Sequence, residues 1–128
     1  MSATGLIAVG MGGAIGCWIR WWLGLKLNAV MPLFPLGTLT ANLAGGYLIG
    51  LALGWFLQHP ALPPEHRLFL ITGLLGGLTT FSTFSVEAVE LLMGEQYGWA
   101  ALHVTTHLAG SLLLTALGIF TVRWLAAA

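Results

Sequence analysis

The sequence predicts an all-α membrane protein, and its composition and its apolar patterning carry that prediction. Hydrophobic residues make up 58% of the 128 residues, and charged residues only 6%. The mean hydropathy is +0.92. A soluble domain averages about 25% charged residues, so this chain lacks the charge to cover a water-facing surface. Its apolar stretches approach the roughly 20 residues that a helix needs to cross a bilayer.

Four such stretches predict a single four-span domain over residues 1–128, with spans at roughly 4–25, 36–57, 67–93 and 99–125. The net charge is zero, so no basic face is available for nucleic acid. No nucleophile motif or phosphate loop occurs, and the sequence therefore does not predict an enzyme. Four short helices bury little core, which predicts an oligomer embedded in membrane lipid.

The first span carries small residues that permit close helix packing. Gly12 and Gly16 have the four-residue spacing of that motif. Arg20 follows at the far end of the span, deeper than Lys26. We expect Arg20 either to cap a broken helix or to attract anions at an entrance.

The second span has a row of residues four apart on one face. Thr38 and Asn42 begin it, and Gly46, Gly50 and Gly54 continue it. The glycines indicate a tight helix contact. The amide of Asn42 needs a partner inside a membrane, and that partner is either another protein group or a transported solute.

The third span contains the stretch around which the chain is organised. Gly76 and Gly77 weaken the helix where a span should be strongest, and several hydroxyl residues follow. Non-helical backbone in hydrocarbon is tolerated only where protein or a water-filled cavity covers it. We therefore expect the third helix to be broken at these glycines, near mid-membrane, and to line a pathway.

Two faces are predicted for the segment that follows this break. Phe81 and Phe84 are three apart, on one side, and Thr80, Thr83 and Glu87 lie on an adjoining side. Such aromatic residues usually only pack, but their ring edges are positive and suit an anion. An intramembrane carboxylate such as Glu87 is a functional candidate.

The fourth span has a polar stripe of His103, His107, Ser111 and Thr115 at steps of four. Two histidines four apart are a metal-binding spacing. Catalytic zinc takes three protein ligands, and the sequence offers no evident third one. We therefore expect helix packing rather than a metal at this stripe.

Cationic residues show no bias between the two sides of the membrane. Arg67 and Arg123 lie on the side of the N-terminus, and Arg20 and Lys26 lie on the other. Positive residues normally orient a membrane protein, so balanced charges predict insertion in both orientations. Two opposite copies would form an antiparallel dual-topology homodimer about an axis in the membrane plane.

Three motifs resemble those of the Fluc (CrcB) family of fluoride channels. The most specific lies in the third span, and the others in the first and second spans: Gly76-Gly77-Leu78-Thr79-Thr80-Phe81-Ser82-Thr83-Phe84-Ser85, Gly12-Gly13-Ala14-Ile15-Gly16-Cys17-Trp18-Ile19-Arg20 and Gly37-Thr38-Leu39-Thr40-Ala41-Asn42-Leu43-Ala44-Gly45-Gly46. The length and the number of spans are also similar. The resemblance therefore covers essentially the whole chain.

This resemblance implies a passive fluoride channel in the bacterial plasma (inner) membrane, which exports fluoride and so protects against its toxicity. It implies a dual-topology homodimer with two fluoride pathways and a central structural Na⁺, held by backbone carbonyls that we place at Gly76 and Thr79. The implied pathway residues are Asn42, Phe81, Ser82, Thr83, Phe84 and Ser111. The residues that we expect beside the pathway or its vestibule are Arg20, Thr38, Glu87 and His107.

Two other functions remain open at the level of sequence. One is a proton-coupled small-molecule exporter of the small four-span dual-topology type. Those exporters rely on a first-span glutamate, which this chain lacks, although Glu87 would be a substitute. The other is a structural membrane subunit, in which the polar stripes are packing hydrogen bonds.

Overall fold

Four stretches of the chain are helical, long and apolar enough to cross a membrane, as predicted. The computed structural model describes residues 2–128. Helix α1 spans Ala3–Leu27 and is followed by one 3₁₀ turn, Asn28–Val30. Helix α2 spans Leu36–Gln58. The third span comprises α3 (residues 64–78) and α4 (Phe81–Met93), and α5 spans Tyr97–Ala127.

Side chains cap the starts of the first two helices. The Ser2 hydroxyl accepts a hydrogen bond from the Gly5 amide at 3.0 Å. The Asn28 carbonyl oxygen accepts from the Gly37 amide at 2.8 Å and from the Thr38 amide at 3.3 Å. The first amides of a helix have no partner within it, so Asn28 both ends the first span and starts the second.

The helices pack in pairs, and glycines at the contacts bring their backbones close together. A Cβ on Gly16 of α1 would overlap the Leu74 carbonyl oxygen and the Leu78 amide of α3. On the other pair, a Cβ on Gly50 of α2 would overlap the Thr115 carbonyl oxygen of α5. The predicted glycine contacts are therefore observed, with α1 against α3 and α2 against α5.

The third helix is broken, but the predicted position of the break was wrong. Gly76 and Gly77 are helical, and the two extended residues are Thr79 (φ −79°, ψ 154°) and Thr80 (φ −147°, ψ 117°). Gly77 lies against Gly13 of α1, where a Cβ would come within 2.5 Å of the Gly13 carbonyl oxygen. Its lack of a side chain therefore serves close approach rather than a change of chain direction.

The backbone before the break departs from regular α-helix. Pro64–Arg67 and Gly76–Leu78 are α-helical, but Leu68–Leu75 between them has π geometry. Such wide turns are rare and are frequently found at functional sites. The irregular segment thus runs through the half of the third span that precedes Thr79.

Candidate functional site

Asn42 of α2 holds the break in place. Its side-chain carbonyl oxygen accepts from the Thr80 amide at 2.7 Å, and its Nδ2 donates to the Thr80 carbonyl oxygen at 3.0 Å. Both backbone groups that the extended conformation frees are thereby satisfied, as buried backbone groups must be. The sequence left two possible partners for the Asn42 amide, a protein group or a transported solute, and in the structure the partner is the Thr80 backbone.

The backbone carbonyls of Gly76 and Thr79, at the break, lack their usual helical partners. The Gly76 carbonyl would bond the Thr80 amide in a continuous helix, but that amide donates to Asn42. The Thr79 carbonyl would bond the Thr83 amide, which instead donates to the Thr80 hydroxyl at 3.1 Å. Gly76 is also exposed on the surface of the chain.

Arg20 caps the end of the helix that precedes the break. Its Nε donates to the Gly77 carbonyl oxygen at 3.0 Å, which is the first of the two roles expected for it. Its Nη2 lies 3.6 Å from the Cys17 sulfur. A cation at a helix C-terminus also offsets the partial negative charge of that end.

A groove of about 350 Å³ beside the break brings together residues from three spans. Asn42 comes from α2, Phe81 and Phe84 from α4, and His107 and Ser111 from α5. Four of the six predicted pathway residues therefore lie together, with His107 beside them. The extended residues Thr79 and Thr80 also line this groove, so the groove lies at the break itself.

The two phenylalanines differ in their surroundings although their rings adjoin. Their ring centroids are 5.4 Å apart, yet Phe81 is 73% exposed and Phe84 only 7%. The ring of Phe84 stacks on His103 at 5.3 Å and an interplanar angle of 15°. Stacking on His103 thus covers one face of the Phe84 ring, whereas most of the Phe81 side chain is exposed.

Ser82 and Thr83 do not line this groove. Thr83 borders a second cavity, of about 290 Å³, together with Arg20 and Thr38. Ser82 is exposed, with its hydroxyl 3.3 Å from that of Thr80. Two of the six predicted pathway residues thus lie outside the groove of their own chain.

Glu87, His103 and His107 form a cluster that the sequence did not reveal. The Thr38 hydroxyl donates to Glu87 Oε1 at 2.5 Å, and Glu87 Oε2 lies 3.6 Å from His103 Nε2. His107 Nδ1 lies 3.0 Å from Asn42 Nδ2. The expectation that the two histidines lack a third candidate ligand was wrong, because the packing of α4 on α5 brings Glu87 to them.

Comparison with known proteins gives one family and closely similar relatives. Residues 7–119 match the family described as "CrcB-like protein, Camphor Resistance (CrcB)". A protein of Cupriavidus pinatubonensis is 60% identical over 98% of this chain and 100% of its own length. One of Nitrosospira multiformis is 58% identical over 98% of each. Both relatives carry the name "Fluoride-specific ion channel FluC".

Proposed function

This chain belongs to the CrcB family, and on that premise we propose that it is a fluoride-selective passive channel. The observation that carries the proposal is the 60% identity, over nearly the whole of both chains, to a relative named as a fluoride-specific channel. The family is one of ion channels and not of enzymes. The groove of Asn42, Phe81, Phe84 and Ser111 supplies groups that suit this function.

Those groups are neutral donors of moderate strength. Fluoride is small and strongly hydrated, so a narrow pathway must replace its water without holding the ion too tightly to release it. The Ser111 hydroxyl and the edges of the Phe81 and Phe84 rings meet that requirement. The Asn42 N–H group that points to His107 would instead donate a hydrogen bond to a passing fluoride ion. The contacts with Thr80 would keep the amide in place meanwhile.

We infer an antiparallel dimer with two pathways, and the division of the predicted residues supports it. Ser82 and Thr83 lie apart from the groove of their own chain. Phe81 at 73% exposure is available to a second copy. In such a dimer, Ser82 and Thr83 of one chain would continue a pathway whose ring edges come from the other.

A central Na⁺ fits the backbone at the break. The Gly76 and Thr79 carbonyls have their usual helical partners engaged elsewhere, and oxygen ligands suit a hard cation. In the proposed dimer, the Gly76 and Thr79 carbonyl oxygens of both chains would coordinate this one ion. Gly76 is exposed, as a site shared across a dimer interface requires.

The proposed location is the plasma membrane of a bacterium, and the proposed direction of net flux is outward. A passive channel has no direction of its own. The inside-negative membrane potential drives an anion out, with about 2.3 kcal/mol per charge for each 100 mV. Fluoride that accumulates in the cytoplasm would therefore leave without any coupled ion.

Efflux from liposomes tests the function directly. The purified protein is reconstituted with internal fluoride or chloride, and the release of each anion is followed with its electrode. We expect rapid loss of fluoride and retention of chloride. Retention of fluoride by vesicles that contain folded protein would refute the channel, and fluoride loss that requires a pH gradient would favour the proton-coupled exporter.

A further inference from the structure

Three side chains inside the bundle each present a buried atom that has no hydrogen-bond partner in residues 2–128. These atoms are Glu87 Oε2, His103 Nδ1 and His107 Nε2. The residues offer ligand atoms that lie within 4.8 Å of one another, and the histidines are 0% and 3% exposed. His103 Nε2 faces Glu87 and lies 3.4 Å from the Phe84 carbonyl oxygen. Buried polar atoms are normally paired, so three neighbouring residues that each carry an unpaired atom indicate a bound ligand.

The residue types identify the chemical class of that ligand. His103 and His107 are four apart on α5 and share a face, and Glu87 faces them from α4. Two histidines and one glutamate are a set of protein ligands found in zinc sites with an open fourth position. We propose that Glu87, His103 and His107 bind a divalent transition metal ion of the zinc class, a function beyond fluoride conduction.

The glutamate is already oriented for this role. The Thr38 hydroxyl, on a residue that is only 4% exposed, donates to Oε1 of Glu87. The other oxygen, Oε2, is directed toward His103 Nε2 at 3.6 Å. Hydrogen bonds of this kind hold metal ligands in position in known sites. Thr38 is therefore a positioning residue for the proposed metal.

An acidic cavity gives a cation a route to the cluster. Glu87 also borders a cavity of about 380 Å³, which Glu90 lines together with Pro32, Pro35 and Gln96 near two loops. Carboxylates concentrated in a cleft attract cations from solution. A metal ion would thus approach from the loop side, without passing along the groove that contains Phe81.

Metal binding would be coupled to the helix break through Asn42. The amide of Asn42 is oriented by both of its bonds to Thr80, so its Nδ2 donates to His107 Nδ1. In this arrangement the proton of His107 is on Nε2. A metal at Nε2 moves that proton to Nδ1 and breaks the contact with Asn42, so an occupied site should reduce fluoride flux.

Cobalt binding to the purified full-length chain, with any histidine tag removed, tests the site without reference to flux. We expect one Co²⁺ per chain, with the visible absorption of a tetrahedral nitrogen and oxygen site, displaced by Zn²⁺ but not by Mg²⁺. His103→Gln, His107→Gln and Glu87→Gln should each weaken binding by about 100-fold or more, since even supporting groups contribute 10–100-fold.

His66→Gln provides the matched control because His66 is an exposed histidine. It should bind Co²⁺ like the unaltered chain. Loss of binding in His66→Gln, with normal binding in His103→Gln, would assign the metal to the surface and overturn the proposal. The absence of any bound Co²⁺ in the unaltered chain would overturn it as well.

A second variant tests the coupling. Asn42→Asp places a carboxylate where it accepts the Nδ1 proton of metal-bound His107, and it should tighten Zn²⁺ binding by about 10-fold. In liposomes, Zn²⁺ should reduce fluoride efflux through the unaltered chain and lose this effect in His103→Gln. If Zn²⁺ binds but does not inhibit efflux, the coupling between the metal site and flux is refuted and the metal site itself is not. If the chain binds Zn²⁺ but conducts no fluoride, only the proposed channel function is refuted.

Discussion

At the scale of single residues, Asn42 is the side chain on which the break depends. It bonds the amide and the carbonyl of Thr80 and also contacts His107. Asn42→Ala leaves two buried backbone groups without a partner, and we expect a loss of about 1–3 kcal/mol of stability for each. The measurement is the thermal unfolding midpoint in detergent.

Ser85→Ala is the control for this substitution. The Ser85 hydroxyl only donates to the Phe81 carbonyl in its own helix, so the unfolding midpoint should hardly change. If Asn42→Ala unfolds at the same temperature as Ser85→Ala, the bonds from Asn42 do not stabilise the break.

The phenylalanine rings allow a second prediction at this scale. Phe81→Ile and Phe84→Ile keep apolar volume but remove the positive ring edge, so fluoride efflux from liposomes should stop while the chain still folds and assembles. Phe120→Ile on α5, which alters a residue at 62% exposure, should conduct normally. Normal efflux through both Phe81→Ile and Phe84→Ile would show that the ion takes another route.

At the scale of helices, the contact between α1 and α3 has no room for a side chain at Gly16. A Cβ there would overlap backbone atoms of Leu74 and Leu78, whereas one on Gly10 of the same helix meets nothing within 4 Å. We expect Gly16→Ala to destabilise the protein by about 1–3 kcal/mol and Gly10→Ala to be neutral. Equal unfolding midpoints for the two variants would contradict the observed packing.

The helices were largely predictable from the sequence, and the position of the break was not. Apolar length located the four spans, and glycine spacing located the tight faces. Gly76 and Gly77 looked like the break because glycine weakens helices. The actual position depends on Asn42, about forty residues earlier, whose bonds to Thr80 make the extended conformation favourable. Single-segment patterns do not contain such a contact.

The candidate site was predictable to a similar degree. The family resemblance implied Asn42, Phe81, Phe84 and Ser111 as pathway residues, and these four meet in one groove. The metal-binding potential of His103 and His107 was visible as a spacing, but its third member, Glu87, belongs to another helix. Only the packing of α4 against α5 brings that carboxylate to the histidines. The residue pattern within one segment does not show which helices pack against each other.

At the scale of the whole molecule, the distribution of charge bears on the proposed antiparallel assembly. Arg20 is committed to the Gly77 carbonyl within the bundle, which leaves Lys26 on one side against Arg67 and Arg123 on the other. This difference is small, and a few added lysines should outweigh it. Orientation is therefore open to deliberate control.

Two opposite charge variants test whether antiparallel pairing is required. Ala61→Lys with Leu62→Lys adds charge to the loop after α2, and Ala29→Lys with Val30→Lys adds it to the loop after α1, where these residues are exposed. Each variant should insert in one orientation, as a C-terminal reporter would show, and should conduct little fluoride alone. Co-expression should restore flux, because it supplies both orientations. Full flux from either variant alone, with its orientation verified, would exclude the antiparallel dimer and favour a parallel or monomeric channel.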